Sequence, residues 1–218
     1  GPRDVDASGN LPGTVLDLRN MPLGRHLGTM PPLDADFRHV TCLNLLGTEM
    51  TDAHVAFLDH FPKLRSLNLT GNRLTHFPSA VGRMIGLTEL YLADNRIVLD
   101  LQGATYLRWL TRLQSLDLQG NPLGRVPDIG GMRLLHTVML GDTGIDTWPD
   151  GLFSQPRFRH FYLNLQRNEL RVIPRVTPGS VGAELVARTV VSRDRQWMSA
   201  DTLNTLRDNI RSVGLDPD

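Results

Sequence analysis

One cysteine and seven histidines are the residues in this 218-residue sequence best suited to chemistry, and their spacing decides what they can do. A thiol attacks as thiolate and needs a base, a cation or a helix start to lower its pKa. Cys42 stands in the run Val40-Thr41-Cys42-Leu43-Asn44, which reads as a strand and places no such group on its face. It is expected to be an unreactive thiol, exposed or half-buried. The histidines are His26, His39, His54, His60, His76, His136 and His160. His54 and His60 are six apart, and no HExxH or paired cysteine accompanies them, so the spacing of a metal site is missing. Glycines are frequent, but no GxGxxG or GxxxxGK[ST] loop is present to cradle phosphate. Asn68-Leu69-Thr70 matches a glycosylation sequon but falls in a core strand pattern. Nucleophile, base and orienting group never come together, so no catalytic residue, metal or cofactor is expected.

Bulk properties point the same way. Twenty-three Lys plus Arg balance twenty-three Asp plus Glu, leaving no net field to attract nucleic acid or an anionic membrane surface. No apolar run approaches the roughly 18 residues of a membrane span. A single cysteine permits no internal disulfide framework, which fits a reducing, cytosolic environment. Gly1-Pro2 reads as a protease scar, so the chain is expected to have been cut from something longer.

The elements that would have to carry any function repeat. With aliphatic residues at positions 1, 4, 6 and 11 and Asn or Thr at position 9, three copies match fully. They are Leu64, Leu67, Leu69, Asn72 and Leu74; Leu87, Leu90, Leu92, Asn95 and Ile97; and Leu113, Leu116, Leu118, Asn121 and Leu123. Two more copies carry Thr48 and Thr143 at position 9, and another has His160 at position 1 with Asn168 at position 9. A degenerate first copy spans Thr14 to Leu23. Position 1 therefore falls at 13, 40, 64, 87, 113, 135 and 160, with spacings of 22 to 27 residues. The pattern is that of a leucine-rich-repeat solenoid: an α/β, right-handed, curved array of short parallel strands with irregular or short helical returns. Positions 4 and 6 point inward from each strand because side chains alternate. Thr48, Asn72, Asn95, Asn121, Thr143 and Asn168 form a structural column that satisfies buried backbone groups where the chain leaves the strand.

Four returns run from an aliphatic residue to proline, at 74–78, 123–127, 145–149 and 170–174, and should be extended or one-turn segments. Two longer returns are expected to be helical, one through Val55, Leu58 and Phe61 and one through Leu107 and Leu110. Trp109 and Trp148 are read as packing residues. The organisation is then a flank at 1–12, repeats at 13–176, and a C-terminal segment at 177–218. In that segment Thr177 to Ser180 is a loop, Thr189-Val190-Val191 a last strand, and a capping helix begins after Ser199 and stops at Gly214.

Positions 3, 5 and 7 face away from the core and stack into one concave surface. Protein contact surfaces favour Tyr, Met and Arg as anchors. The aromatic and Met residues of these columns enter in the middle and C-terminal half, so the protein-binding residues are expected to be Glu89, Tyr91, Asp117, Gln119, His136, Met139, Tyr162, Asn164 and Gln166.

The LxxLxLxxNxLxxΦP repeats, the segment Thr51 to Pro62, the turn Asn121-Pro122-Leu123-Gly124 and the run 141–152 together resemble the leucine-rich region of bacterial toxin-like effectors that end in a "novel E3 ligase" (NEL) domain. That resemblance implies a substrate-recognition or autoinhibitory module acting beside a separate helical domain with a catalytic Cys-x-Asp, in a bacterial effector delivered to a host cell. Cys42 is followed by Leu43 and Asn44, does not match that motif, and inherits no catalytic role. The implied partner is a protein: a host target, a ubiquitination substrate, or the effector's own ligase domain. The other reading is a non-enzymatic adaptor or scaffold binding a protein partner.

Overall fold

The computed structural model describes residues 13–28 and 37–218; the flank expected at 1–12 lies outside the described residues. Seven strands form one parallel sheet in sequence order: β1 (Thr14–Asp17), β2 (Val40–Asn44), β3 (Ser66–Asn68), β4 (Glu89–Tyr91), β5 (Ser115–Asp117), β6 (Thr137–Met139) and β7 (Tyr162–Asn164). From β2 onward the register is the same at every step, with Leu43, Leu67, Leu90, Leu116, Val138 and Leu163 in one row. This is the leucine-rich-repeat solenoid that the repeat pattern requires. Strands of three residues cannot be stable alone, so each repeat depends on burying its apolar side against its neighbours.

The core follows the repeat positions. Leu43 and Leu45, Leu67 and Leu69, Leu90 and Leu92, and Leu116 and Leu118 are buried at positions 4 and 6, and Met50, Leu74, Ile97 and Leu123 at position 11. In the first copy Leu16 and Leu18 are only half-buried, since no described repeat precedes them. In the last copy His160 is exposed, and Phe161, one residue later, fills the core.

The column at position 9 is a hydrogen-bonded ladder. The Asn72 side-chain amide donates to the carbonyls of Leu69 in its own repeat and Leu45 in the one before, each at 2.9 Å. Its Oδ1 accepts the N–H of Thr48 and of Met50 at 3.1 and 2.9 Å. Asn95 and Asn121 repeat the arrangement one and two turns on, and Asn168 does so toward Leu140. Threonine is not equivalent. The hydroxyls of Thr48 and Thr143 reach Leu45 O and Leu140 O in their own repeat and lie 3.2 and 3.1 Å from Asn72 Oδ1 and Asn168 Oδ1 in the next, but send nothing to the repeat before. A hydroxyl has one proton where a primary amide has two, so Thr143 sends no bond back to Leu118.

The returns differ in part from the sequence reading. The segment after β2 is a 3₁₀ helix, Asp52–His60, and the one after β4 is α2 (Leu101–Arg108), following α1 (Leu23–Leu27). A further 3₁₀ helix, Ser79–Arg83, follows Pro78 at the end of a return expected to be extended or one-turn. Trp148 is 6% exposed and donates its indole N–H to Val172 O at 2.9 Å, whereas Trp109 is 50% exposed. Trp109 comes after the last residue of α2, and Leu107 and Leu110 beside it already occupy the core.

The C-terminal end holds two helices, α3 (Val181–Arg188) and α4 (Ala200–Ser212), packed on each other. Sequence reading missed α3, although Ser180 caps it by accepting the N–H of Ala183. Ser199 caps α4 through the N–H of Thr202, and Leu206 and Ile210 are buried. The expected last strand shrinks to one residue: Val190 accepts from Leu165 N at 2.7 Å and donates to Leu163 O at 3.0 Å. Ser192 then offers its hydroxyl oxygen to Arg167 N at 2.7 Å, replacing the carbonyl that an eighth repeat would supply.

Replacing Asn95 with alanine removes donors to two buried carbonyls and the acceptor for Leu74 N. Urea unfolding is expected to show a loss of about 2–4 kcal/mol for Asn95→Ala, and about half of that for Asn95→Thr, which keeps the bond within its own repeat. No loss for Asn95→Thr would show that the bond between repeats contributes nothing.

Candidate functional site

Every repeat turns outward at the same two places. Position 8 is left-handed in all seven copies: Asn20, Gly47, Gly71, Asp94, Gly120, Asp142 and Arg167 have φ between 53° and 74°. In the first six of these its N–H points forward to the carbonyl of position 7 in the next repeat, for example Asp94 N to Gln119 O at 2.9 Å. Gly, Asn and Asp tolerate this conformation best, and that column was a signal the sequence reading did not use.

Position 5 carries the second device. Asp17, Asn44, Asn68, Asp117 and Asn164 each accept, through Oδ1, the backbone N–H two residues on, at 2.9–3.2 Å. These are Asx turns that hold the end of the strand. Tyr91 and Met139, the other two residues of the column, offer no such oxygen. Position 5 thus holds five residues with a backbone task and two without one.

The register places Tyr91 beside Asp117, Asp117 beside Met139, and Met139 beside Asn164. In the adjoining column Glu89 lies beside Ser115, with Thr137 and Tyr162 following. Tyr91 donates its hydroxyl to Glu89 Oε2 at 2.8 Å. Burial, helped by the Glu89 carboxylate that holds its proton, pushes the Tyr91 phenol up to about 12. Burial also raises the Asp117 carboxyl above its ordinary value, against the stabilising N–H of Gln119 and with added repulsion from Asp94. Asp94 was not among the expected site residues. On the far side, Gln119 Oε1 and Gln166 Cγ each lie 3.4 Å from where a Cβ on Gly141 would stand, so the two side chains flank a bare backbone position.

Two expected site residues differ from the rest, one in burial and one in position. Asn164 is only 4% exposed, because Val190 extends the sheet past β7 and covers it. His136 occupies position 2, ahead of β6, with Nδ1 2.9 Å from Thr137 Oγ1 and its ring 6.2 Å from that of His160. Tyr162 is 42% exposed at the end of its column. The other five, Glu89, Tyr91, Gln119, Met139 and Gln166, are half-buried on the outward face together with Asp117.

The remaining candidate chemistry is dispersed. Cys42 is half-buried on β2, level with Ser66. The Nδ1 of His54 accepts Thr51 N at 2.9 Å, which fixes the start of the Asp52–His60 helix. Among the described residues no group of three His, Cys, Asp or Glu is placed to hold a metal ion, and no helix is long and apolar enough to cross a membrane.

Residues 62–123 match the family model described as Leucine rich repeat. A disease resistance protein of Arabidopsis thaliana is 30% identical over 162 residues, and the alignment covers 71% of this chain and 14% of that protein. The leucine-rich repeat-containing G-protein coupled receptor 5 of Rattus norvegicus is 33% identical over 120 residues, covering 55% of this chain and 13% of the receptor. The chain thus corresponds to a small part of either relative. Among solved structures, a leucine-rich-repeat protein of Leptospira interrogans aligns over 72% of this chain and 43% of its own, at 22% identity and a TM-score of 0.46. Internalin C2 of Listeria monocytogenes aligns over 71% and 52%, at 18% identity and a TM-score of 0.42.

Asp117 joins the two roles of this face, and substitutions separate them. Asp117→Asn keeps the Asx turn and removes the charge, whereas Asp117→Ala loses the acceptor for Gln119 N at a cost of about 1 kcal/mol. Because folding raises the Asp117 pKa, its contribution is most favourable below the ordinary value of 3.8 and is lost as pH rises through the folded value. Thermal melts are therefore expected to show Asp117→Asn more stable than the parent at pH 7, with the advantage gone near pH 3. An advantage that grew on acidification would contradict the assignment.

Proposed function

We propose that this leucine-rich-repeat domain is a protein-recognition module whose partner docks on the outward face of β4 to β6 and presents a cationic side chain there. The observation that carries the reading is the half-buried cluster of Glu89, Tyr91 and Asp117. The Glu89 carboxylate accepts the Tyr91 phenol's hydrogen bond, and the Asp117 carboxylate beside Tyr91 is partly dehydrated, with Asp94 close by. Removing carboxylates from water costs free energy that a guanidinium or ammonium from a partner would recover. Met139 flanks the cluster, and it and Tyr91, unlike the other residues of their column, are not tied to a backbone N–H. They are the adaptable apolar contacts that interfaces favour.

The finer reading is that the module selects the substrate, or restrains the enzyme, in a bacterial NEL-type E3 ubiquitin ligase-like effector delivered into a host cell. Its support is the likeness of Thr51 to Pro62, Asn121 to Gly124 and residues 141–152 to that group. No catalytic role falls on the chain itself, since Cys42 lacks the Cys-x-Asp context.

Partner capture from host-cell extract followed by quantitative binding tests both levels. The double variant Tyr91→Lys with Met139→Lys, which sets cations beside the carboxylates, is expected to weaken a captured partner at least tenfold while the protein still melts cooperatively. Undiminished binding would move the site off this face. For the finer reading, ubiquitin transfer is expected from the full-length gene product and not from residues 1–218. Transfer by this segment alone, or a full-length product without a Cys-x-Asp domain, would overturn it.

A further inference from the structure

Away from the strand face, the C-terminal half of the solenoid carries a groove made of two clefts. The first, of about 710 Å³, lies between the return segment 152–161 and α3, with Phe153, Phe158, Val181 and Leu185 on its walls. The second, of about 940 Å³, runs on past Leu134 and Thr111 and shares Ser154, Gln155 and Pro156 with the first. The shared residues set the two clefts side by side along this return segment. Both volumes fall in the range of sites that enclose ligands.

The lining is apolar where ordinary surface would be polar. Leu134, Phe153, Phe158 and Val181 are 43%, 46%, 43% and 78% exposed, and all four face this trough. Single exposed apolar residues need no explanation, but four along one groove do.

The charge of the trough is one-sided. Arg133, Arg157, Arg159 and Arg188 line it against a single carboxylate, Glu184, which already pairs with Arg188 at 3.0 Å. Arg157 is spent on the floor: it donates to the carbonyls of Ile129, Met132, Gly151 and Leu152, and no carboxylate neutralises it. Arg133 and Arg159 have no acidic partner among the described residues. A protein with no net charge has thus gathered unpaired guanidinium groups along its most apolar trough.

We infer that this groove is a second binding site, for an extended acidic peptide segment that also carries aromatic or aliphatic side chains. Guanidinium forks recognise carboxylates in pairs of hydrogen bonds, and an extended chain presents alternate side chains to opposite walls. The apolar walls set this ligand apart from nucleic acid, whose phosphates call for a continuous basic surface. The inference does not depend on the concave reading, since the two surfaces share no residue.

Selection from a random twelve-residue peptide display library tests it. Wild-type protein is the bait, and the double variant Val181→Asp with Arg159→Glu serves for counter-selection. Val181 opens α3 and is largely exposed, and an acidic residue in a first turn suits the helix dipole, so the fold should persist; circular dichroism checks this. The recovered peptides are expected to combine Asp or Glu with Phe, Leu or Trp. Their synthetic forms should bind wild type at least tenfold more tightly than either single variant, and Tyr91→Glu should leave binding unchanged. Failure to recover any peptide, peptides without an acidic excess, or equal binding to the variants would overturn the inference. So would self-association in sedimentation that Val181→Asp abolishes, which would make the occupant a second copy of this chain.

Discussion

The carbonyl oxygen of position 6 is the group on which the rest of this structure turns. In the register of the sheet, the position 3 N–H pairs with the position 2 carbonyl of the repeat before, as Glu89 N does with Arg65 O. Carried four residues on, the same register would bring the position 7 N–H to the position 6 carbonyl. That carbonyl has two lone pairs, and in the middle repeats both are taken: Leu69 O accepts from Asn72 and Asn95, and Leu92 O from Asn95 and Asn121. The ladder that binds one repeat to the next therefore displaces the position 7 N–H from the sheet. A short carboxyl or amide at position 5 takes it instead, and a left-handed residue at position 8 sends the chain into its return.

This constraint divides the outward face before any partner is considered. Wherever position 5 is Asp or Asn, the side chain is turned along its own strand and is less available to a ligand. Asn164 shows the extreme, since it is both tied to Gln166 N and covered by Val190. Tyr91 and Met139 escape the task, and the one charged residue between them, Asp117, carries it while partly dehydrated. Recognition and architecture therefore meet at β4 to β6. At the C-terminal end the same backbone demands are met by improvisation: a single bridging residue, one serine hydroxyl and two packed helices replace the next repeat.

The repeat, its period and its core were legible in the sequence because each depends on side-chain polarity at fixed spacing. Leu43, Leu67, Leu90 and Leu116 announce their own positions. What the spacing could not carry was geometry decided between repeats. Threonine matches asparagine as a short polar residue, yet Thr143 lacks the second proton that would reach Leu118. Trp109 has the spacing of a core residue, but α2 ends before it and turns it outward. Asn164 shares the outward column by spacing, and only the fold shows that Val190 covers it, while His136 stands one residue ahead of β6. Asp94 was hidden for a different reason. Its column reads as turn formers, and only the fold shows that this turn comes close to Asp117.

A saturation scan of position 5, read as protease resistance on displayed protein, tests the division of the outward face most directly. Where the side chain holds a backbone N–H, only short acceptors should be tolerated: Asn44, Asn68 and Asp117 are expected to accept Asp, Asn or Ser and to lose stability with Leu or Lys. Tyr91 and Met139, which hold none, are expected to accept nearly any residue. Equal tolerance across the column, or sharp intolerance at Tyr91 and Met139, would contradict this division.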